Sequence, residues 1–600
     1  MRTIGSLFLL LLCPLLTVSQ AQDLPLEILD YADTVLYNGQ VLTMDGDRPP
    51  ITVTEALAIR DGKIMAVGQN DRISRMAGPD TLRVDLRGKT VMPGIIDTHS
   101  HPNSYALSHY SQEVIPPYLK FLEENGVRFA TVRWESPETV VADFKRFAES
   151  VAPGEWIFST VGLTKEVRET WAEISREDLD RASPDHPLFV RIAYGMWGLA
   201  NTKMLEIVED IYGDHLPGLL KDEEGIPNGR MFGAAGEVID QEVLPQIPPE
   251  ILAPPFKKEL EEWVALGVTT LSTRLKGSEI RAYTLLDRQG ELPLRLPYSH
   301  ELGRVNPSFE RSLKRFGNLQ GHGTERIWMI GMSLGNPDGT GPNSGEIPGG
   351  QVCVSVPKRE LYPNDFYPEG MCYWDIPGMP GYNNVLLANR YGYRISGVHN
   401  YGDNSSLVML DAYAEANQEN SILQGRFALD HGTMVSPEVI QRSAKLGVLW
   451  SLQPALFYGG NAANISRVYG EEYAHQWVLP VKSLIDAGVK VSYGADTHND
   501  PKRHPMFNLE VLVTRRTVDG RVFGPREAID RSTALLMMTR WGAGYVLRDE
   551  ELGSLEVGKL ADLVVLDKNP LDRNIGDEDL SEIEVLATVI GGEVAYGSLE

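Results

Sequence analysis

The chain has 600 residues, 42% hydrophobic and 23% charged, with a formal net charge of −26. That balance is globular and excludes a disordered chain, while the length exceeds one ordinary core and suits a large barrel with insertions plus a smaller domain. The negative charge, with no basic block, excludes a nucleic-acid partner, because neutralising phosphates needs clustered Lys and Arg.

Met1-Arg2, the apolar run from Leu7 to Leu16 and the stretch Thr17 to Gln22 have the charged start, short apolar core and small-residue site of a secretory signal. Residues 1–21 are read as that signal, with cleavage after Ala21 and a periplasmic or secreted product. The apolar run is short for a bilayer span, so no membrane association is expected once it is removed. Leu12 before Cys13 is a poor match to a lipoprotein signal.

From Ala32 to Thr90 the pattern is short strands and tight turns. Strands are expected at Asp33 to Tyr37, Val41 to Met44, Ala56 to Arg60 and Lys63 to Val67, with turns at Asn38-Gly39 and Asp61-Gly62. Next comes Val91-Met92-Pro93-Gly94-Ile95-Ile96-Asp97-Thr98-His99-Ser100-His101-Pro102. Strand side chains alternate between faces, so His99 and His101 point the same way and are placed to share one cation. Two histidines in a polar loop are the plainer alternative.

The centre alternates helical and strand patterns, which favours a parallel α/β architecture. Asp143 to Val151 and Pro255 to Ala265 carry helical spacing, and Pro255 suits a first turn. Strands are expected at Val268 to Ser272, Ile327 to Ile330, Tyr393 to His399, Phe427 to His431, Val448 to Leu452 and Val489 to Tyr493. Between Asn336 and Tyr382 the pattern breaks into Gly, Pro, Asn and Tyr, as in a functional loop or lid. Tyr373, Trp374 and Tyr382 there are read as a wall for an apolar or aromatic substrate group. Cys353 and Cys372 lie in the same region, and either pair in an oxidising compartment or stay as two buried thiols. The tail returns to strands and a turn, at Gly558 to Leu566, Val585 to Ile590 and Glu593 to Tyr596.

Pro93-Gly94-Ile95-Ile96-Asp97-Thr98-His99-Ser100-His101 resembles the first-strand signature of the amidohydrolase superfamily, and later motifs resemble its branch called amidohydrolase family 3. The resemblance runs from about Ala32 to the C-terminus. It implies a TIM-like (β/α)8 barrel over residues 93–550, with a loop insertion at 336–382, inserted in a small composite β-sandwich built from residues 22–92 and 551–600. His399 in His399-Asn400-Tyr401-Gly402-Asp403 resembles the fifth-strand motif. His431 resembles the sixth-strand acidic-His motif, with Asp430 where Glu is usual. Asp496 in Tyr493-Gly494-Ala495-Asp496 looks like the eighth-strand element whose carboxylate binds metal and takes the proton from attacking water.

The resemblance therefore implies a divalent metal site of His99, His101, His399, His431 and Asp496, with zinc the expected ion and one or two ions bound. Asp496 is the expected general base, and His431 or His399 stabilises the oxyanion if one metal is present. The implied reaction is hydrolysis of a non-peptide C–N bond in a small amide, formamide or N-acyl amino compound. A deaminase or cyclic amide or imide hydrolase is a second reading, and a non-catalytic binding or scaffold protein on the same fold a third. The partner is a small-molecule substrate, and a homo-oligomer is left open.

Departures from the pattern accompany the resemblance. Ile327 aligns with the lysine that family members carbamylate to bridge two metals, and Lys276 is either its replacement or a solvated charge. Met196 stands where a histidine is expected. Glu237 faces the site or caps a helix, and His498 is extra to the pattern.

Overall fold

The computed structural model describes residues 31–599, apart from 163, 193–196, 214–215, 303–307, 339–352, 358, 360–371 and 376–380. The expected leader and Met196 lie outside the described residues.

Both ends of the chain share one six-stranded sheet, in the order Glu593–Gly597, Val585–Ile590, Leu563–Leu566, Thr90–Pro93, Gln40–Leu42 and Val53–Thr54. A four-stranded sheet of Lys63–Gly68, Ala56–Arg60, Ala32–Tyr37 and Ala77–Asp85 packs against it. Leu36, Leu57 and Ile64 of the smaller sheet meet Val91, Leu563, Val565 and Val589 of the larger in one buried cluster. The turns form where the sequence signals them, with Asn38, Asp61 and Gly62 at positive φ.

Between these ends runs a series of short, mostly parallel strands: β1 (Ile95–Asp97), β2 (Val268–Leu271), β3 (Leu296–His300), β4 (Ile327–Met332), β5 (His399–Asn400), β6 (Ala428–His431), β7 (Leu449–Leu452) and β8 (Val491–Tyr493). β2 pairs with β1 in parallel, and beyond Ser272 the segment Thr273–Leu275 pairs with β3. β3 pairs with β4, a parallel bridge from Met332 to Ile395 leads to β5, and β5 to β8 pair in order. Thr98 N then donates to Tyr493 O at 2.8 Å, returning to the end of β1. Helices alternate with these strands, among them Pro249–Ala265, Gly277–Gln289, Asp403–Ala416, Pro437–Leu446 and Pro505–Thr514. The architecture is α/β and TIM-barrel-like. Its interior floor is apolar, with Ile96, Trp328, Ile330 and Ala428 in one cluster.

Two helix starts differ from expectation. The helix expected from Asp143 runs Pro137–Ala148, because Ser136 caps it by accepting from Thr139 N. The helix expected from Pro255 begins at Pro249 and carries Pro254 and Pro255 inside it.

Between β1 and β2 the chain also forms a six-stranded mixed sheet spanning Val127–Phe129 to Pro227–Phe232. Trp134, Trp171, Trp197, Phe232 and Tyr373 fill its core. Cys353 and Cys372 form a disulfide. Two of the three aromatics expected to line a substrate wall are used elsewhere: Tyr373 is buried in that core, and the Tyr382 hydroxyl donates to Glu415 Oε2 on an exposed face. An aromatic ring in a loop is drawn to the nearest apolar core or carboxylate, which composition alone does not reveal.

Candidate metal centre

The five residues singled out in the sequence lie in or just beyond the parallel strands, on one mouth. His99 and His101 follow β1, His399 opens β5, His431 ends β6, and Asp496 follows β8. His431 and Asp496 have φ of 81° and 48°, a backbone region that side chains other than glycine and asparagine rarely occupy. Gly494 lets strand β8 close on this mouth, since a Cβ there would lie 2.8 Å from both Cβ and N of His99. Asp97 ties the two strand ends together, accepting from His99 N at 3.0 Å and Ala495 N at 3.1 Å.

Asp496 is the meeting point. Its Oδ1 is 3.3 Å from His101 Nε2 and 3.8 Å from His99 Nε2, and its Oδ2 is 3.5 Å from His431 Nδ1. His99, His101 and Asp496 each offer a ligand atom within 4.8 Å of the others. His399 stands beside this group, with its ring 4.4 Å from that of His431 and stacked on Tyr401 at 4.6 Å.

Burial pushes the imidazoles of His99, His101 and His431 well below their ordinary range, with the Arg274 charge adding to the effect. A shift in that direction favours the neutral imidazole, the form that ligates metal. Burial also pushes the Asp496 carboxyl up to about 7, against the pull of Arg274.

The donor set fits a divalent cation. His99 Nε2 and both ring nitrogens of His431 are buried without a hydrogen-bond partner, a costly state for polar atoms unless something else satisfies them. Imidazole nitrogens with one carboxylate suit zinc.

Asp430 of the acidic-His motif and two residues outside the motifs, Asp338 and Arg274, contact these side chains. Asp430 Oδ2 accepts from His99 Nδ1 at 2.6 Å and its Oδ1 accepts from Tyr545 at 2.9 Å, which directs the His99 Nε2 lone pair at the centre. Asp338 receives the His399 Nδ1 at 3.1 Å and the backbone N–H groups of Tyr401 and Gly402. Arg274 Nη2 lies 3.1 Å from His101 Nε2. The sequence signals were thin: Asp338 reads as a turn residue in Asn336-Pro337-Asp338-Gly339, and Arg274 as one more charge between strand and helix.

The remaining candidates are placed as follows. Ile327 starts β4 and packs with Leu296 and Met329 in the outer core, whereas Trp328 and Ile330 join the interior cluster. Lys276 is half-buried, with Nζ 3.4 Å from Oε2 of the buried Glu237, so it is not a solvated surface charge. His498 lies between the rings of Tyr105 and His109, at 4.8 and 4.7 Å, and Tyr105 donates to Asp496 at 3.5 Å.

Comparison with known proteins identifies the family of this chain. The family model described as amidohydrolase family matches residues 83–596. The N-substituted formamide deformylase of Arthrobacter pascens is 27% identical over 596 residues, covering 94% of this chain and 98% of that one. Among solved structures, an uncharacterized metal-dependent hydrolase from Pyrococcus horikoshii OT3 has a TM-score of 0.57 at 23% identity, over 90% of this chain and 98% of that one. An adenosine deaminase from Xanthomonas campestris with bound zinc has a TM-score of 0.50 at 13% identity, over 95% of this chain and 94% of that one. The match across most of its length shows that this chain belongs to the amidohydrolase family.

Proposed function

We propose that the protein is a metal-dependent amidohydrolase that cleaves a non-peptide C–N bond of a small N-substituted formamide or N-acyl amine. The observation that carries this reading is the set of buried, unpartnered imidazole nitrogens of His99 and His431 facing the Asp496 carboxylate. His101 and His399 complete the group. The near full-length similarity to an N-substituted formamide deformylase supports formamides as the substrate class. The strand pairings, with both chain ends in one sheet, support a complete (β/α)8 barrel carried on a composite β-sandwich.

A divalent ion held there supplies Lewis acidity, lowering the pKa of water from about 15.7 to near 7 and polarising a carbonyl. Asp496 accepts the proton that water loses as its oxygen bonds to the formyl carbon. The same carboxyl then returns the proton to the amine nitrogen as the C–N bond breaks, leaving a carboxylic acid and an amine. His431 or His399 donates to the developing oxyanion.

The test is metal analysis of purified protein together with formate release from a panel of N-alkyl and N-benzyl formamides. Metal-dependent formate release is expected, lost on chelation and restored by zinc. Asp496→Asn is expected to cut kcat by about 10²–10⁴ with an unchanged circular dichroism spectrum. Near-normal turnover of that variant overturns its role, and ammonia release from cyclic or nucleobase-like substrates favours a deaminase instead.

Export through the leader is part of the proposal. The Cys353–Cys372 disulfide supports an oxidising compartment, and N-terminal sequencing of the mature protein, expected to begin at Gln22, tests it.

A further inference from the structure

Two short segments joined by the Cys353–Cys372 disulfide lie against the turn that carries His399. The Cys353 carbonyl packs on Gly402, where a Cβ would lie 1.7 Å from its oxygen, and Asp403 accepts from Ser355 N at 2.9 Å and Ser355 Oγ at 2.5 Å. The Cys372 segment holds the stretch after β4: Tyr373 N donates to Pro337 O at 2.6 Å and Trp374 Nε1 to Gly335 O at 2.8 Å. Both cysteines are buried.

Asp338 sits where the two sets of contacts meet. It is buried and accepts from His399 Nδ1 at 3.1 Å, Tyr401 N at 3.1 Å and Gly402 N at 2.9 Å. The contacts therefore form a closed circuit, from Cys372 through Tyr373, Pro337 and Asp338 to Gly402, and back through Cys353 and the disulfide. A covalent bond in that circuit lets Asp338 move less against the turn after β5 than hydrogen bonds alone would, and Asp338 is the carboxylate that orients the His399 imidazole.

We propose that the Cys353–Cys372 disulfide is a positioning element of the reaction: by holding Asp338 against the turn after β5, it sets the His399 imidazole for turnover. The inference rests on the metal-dependent hydrolase reading given above and names what keeps one of its residues in place.

The test compares wild type, the double variant Cys353→Ala/Cys372→Ala, Asp338→Asn and the combined triple variant. Formate release is assayed with zinc in excess, below the melting transition that circular dichroism shows for each. A misplacement of about 1 Å can cost about 10²-fold, so the cysteine variant is expected to lose at least about tenfold in kcat with KM within about threefold. Asp338→Asn is expected to show the same split. If the disulfide acts through Asp338, the triple variant loses about as much as Asp338→Asn alone, because residues of one network are not additive. A bond that served only stability would lower the melting temperature and leave kcat as it was. Unchanged kcat in the cysteine variant, or losses that multiply in the triple variant, overturns the inference and leaves the hydrolase reading standing. Should the cysteine variant not fold, wild type and Asp338→Asn reduced after folding by a water-soluble phosphine, with two additional thiols counted, take the place of the variants under the same outcomes. Absence of metal-dependent turnover by wild type sinks the hydrolase reading and this inference together.

Discussion

Asp430→Asn isolates the orientation of one ligand with almost no change in volume. In the native site one oxygen of Asp430 accepts from His99 Nδ1 at 2.6 Å and the other from the Tyr545 hydroxyl at 2.9 Å, with His99 and Asp430 both buried. An asparagine brings one acceptor oxygen and one NH2 group. If the oxygen serves Tyr545, the NH2 meets Nδ1, and the imidazole must carry its proton on Nε2, which removes the lone pair aimed at the centre. If the oxygen serves His99, a neutral amide still makes the ring less basic than a carboxylate does.

Either way the ion should bind about 10 to 100-fold more weakly, or about 1.4–2.8 kcal/mol. Competition against a chelator of known affinity, with zinc counted after dialysis, measures this. Tyr545→Phe is the control: it removes only the hydroxyl, costs about 0.5–1.5 kcal/mol of stability, and should leave affinity within about threefold. A folded Asp430→Asn protein with wild-type affinity would refute the claim that this carboxylate sets the His99 tautomer.

Further predictions concern elements around the site. Gly494→Ala places a methyl 2.8 Å from the backbone and Cβ of His99; thermal unfolding should show a loss of about 1–3 kcal/mol, and metal analysis a reduced occupancy. Cys353→Ser opens a loop closed across a sequence separation of 19 residues. Denaturant titration should show about 3 kcal/mol less stability if the cost is chain entropy, and no difference from wild type would exclude that role.

Acid stability should depend on Glu556. Burial raises its pKa, but hydrogen bonds from Ser554, Arg540 and Lys559 outweigh that and bring it to about 2, from 4.5. A folded-state pKa below the unfolded value contributes stability that is present above about pH 4.5 and is lost as pH falls toward about 2. Melting temperatures of Glu556→Gln should therefore fall less steeply than those of wild type across that window, and parallel curves would count against the network.

The candidate ligands each follow an apolar run, and a parallel strand delivers the group at its end to a common mouth. His99 and His101 are picked out as a pair by strand alternation, and His399, His431 and Asp496 by their resemblance to family motifs. The contacts that support them are not. Asp430 belongs to a motif, but its partner His99 lies 331 positions away, and Asp338 is 61 from His399 inside a stretch rich in turn residues. The sheet between β1 and β2 was equally hidden, because its strands are short and several are separated by helices whose pattern matches that of the flanking α/β segments.

By itself, then, the order of residues determined the turns and strands at both ends, the family to which the chain belongs, and the ligand types on offer, since these depend on local conformational preference and on motifs contiguous in the chain. Tertiary structure alone decided that Cys353 meets Cys372, that Tyr382 turns to the surface, and that the guanidinium of Arg274 lies on His101. Each of those outcomes depends on which segments the fold brings together and on how much room they leave, as the missing Cβ of Gly397 does for Arg274. Distances across a packed interior are a property of the closed structure and are not encoded in any one stretch of it.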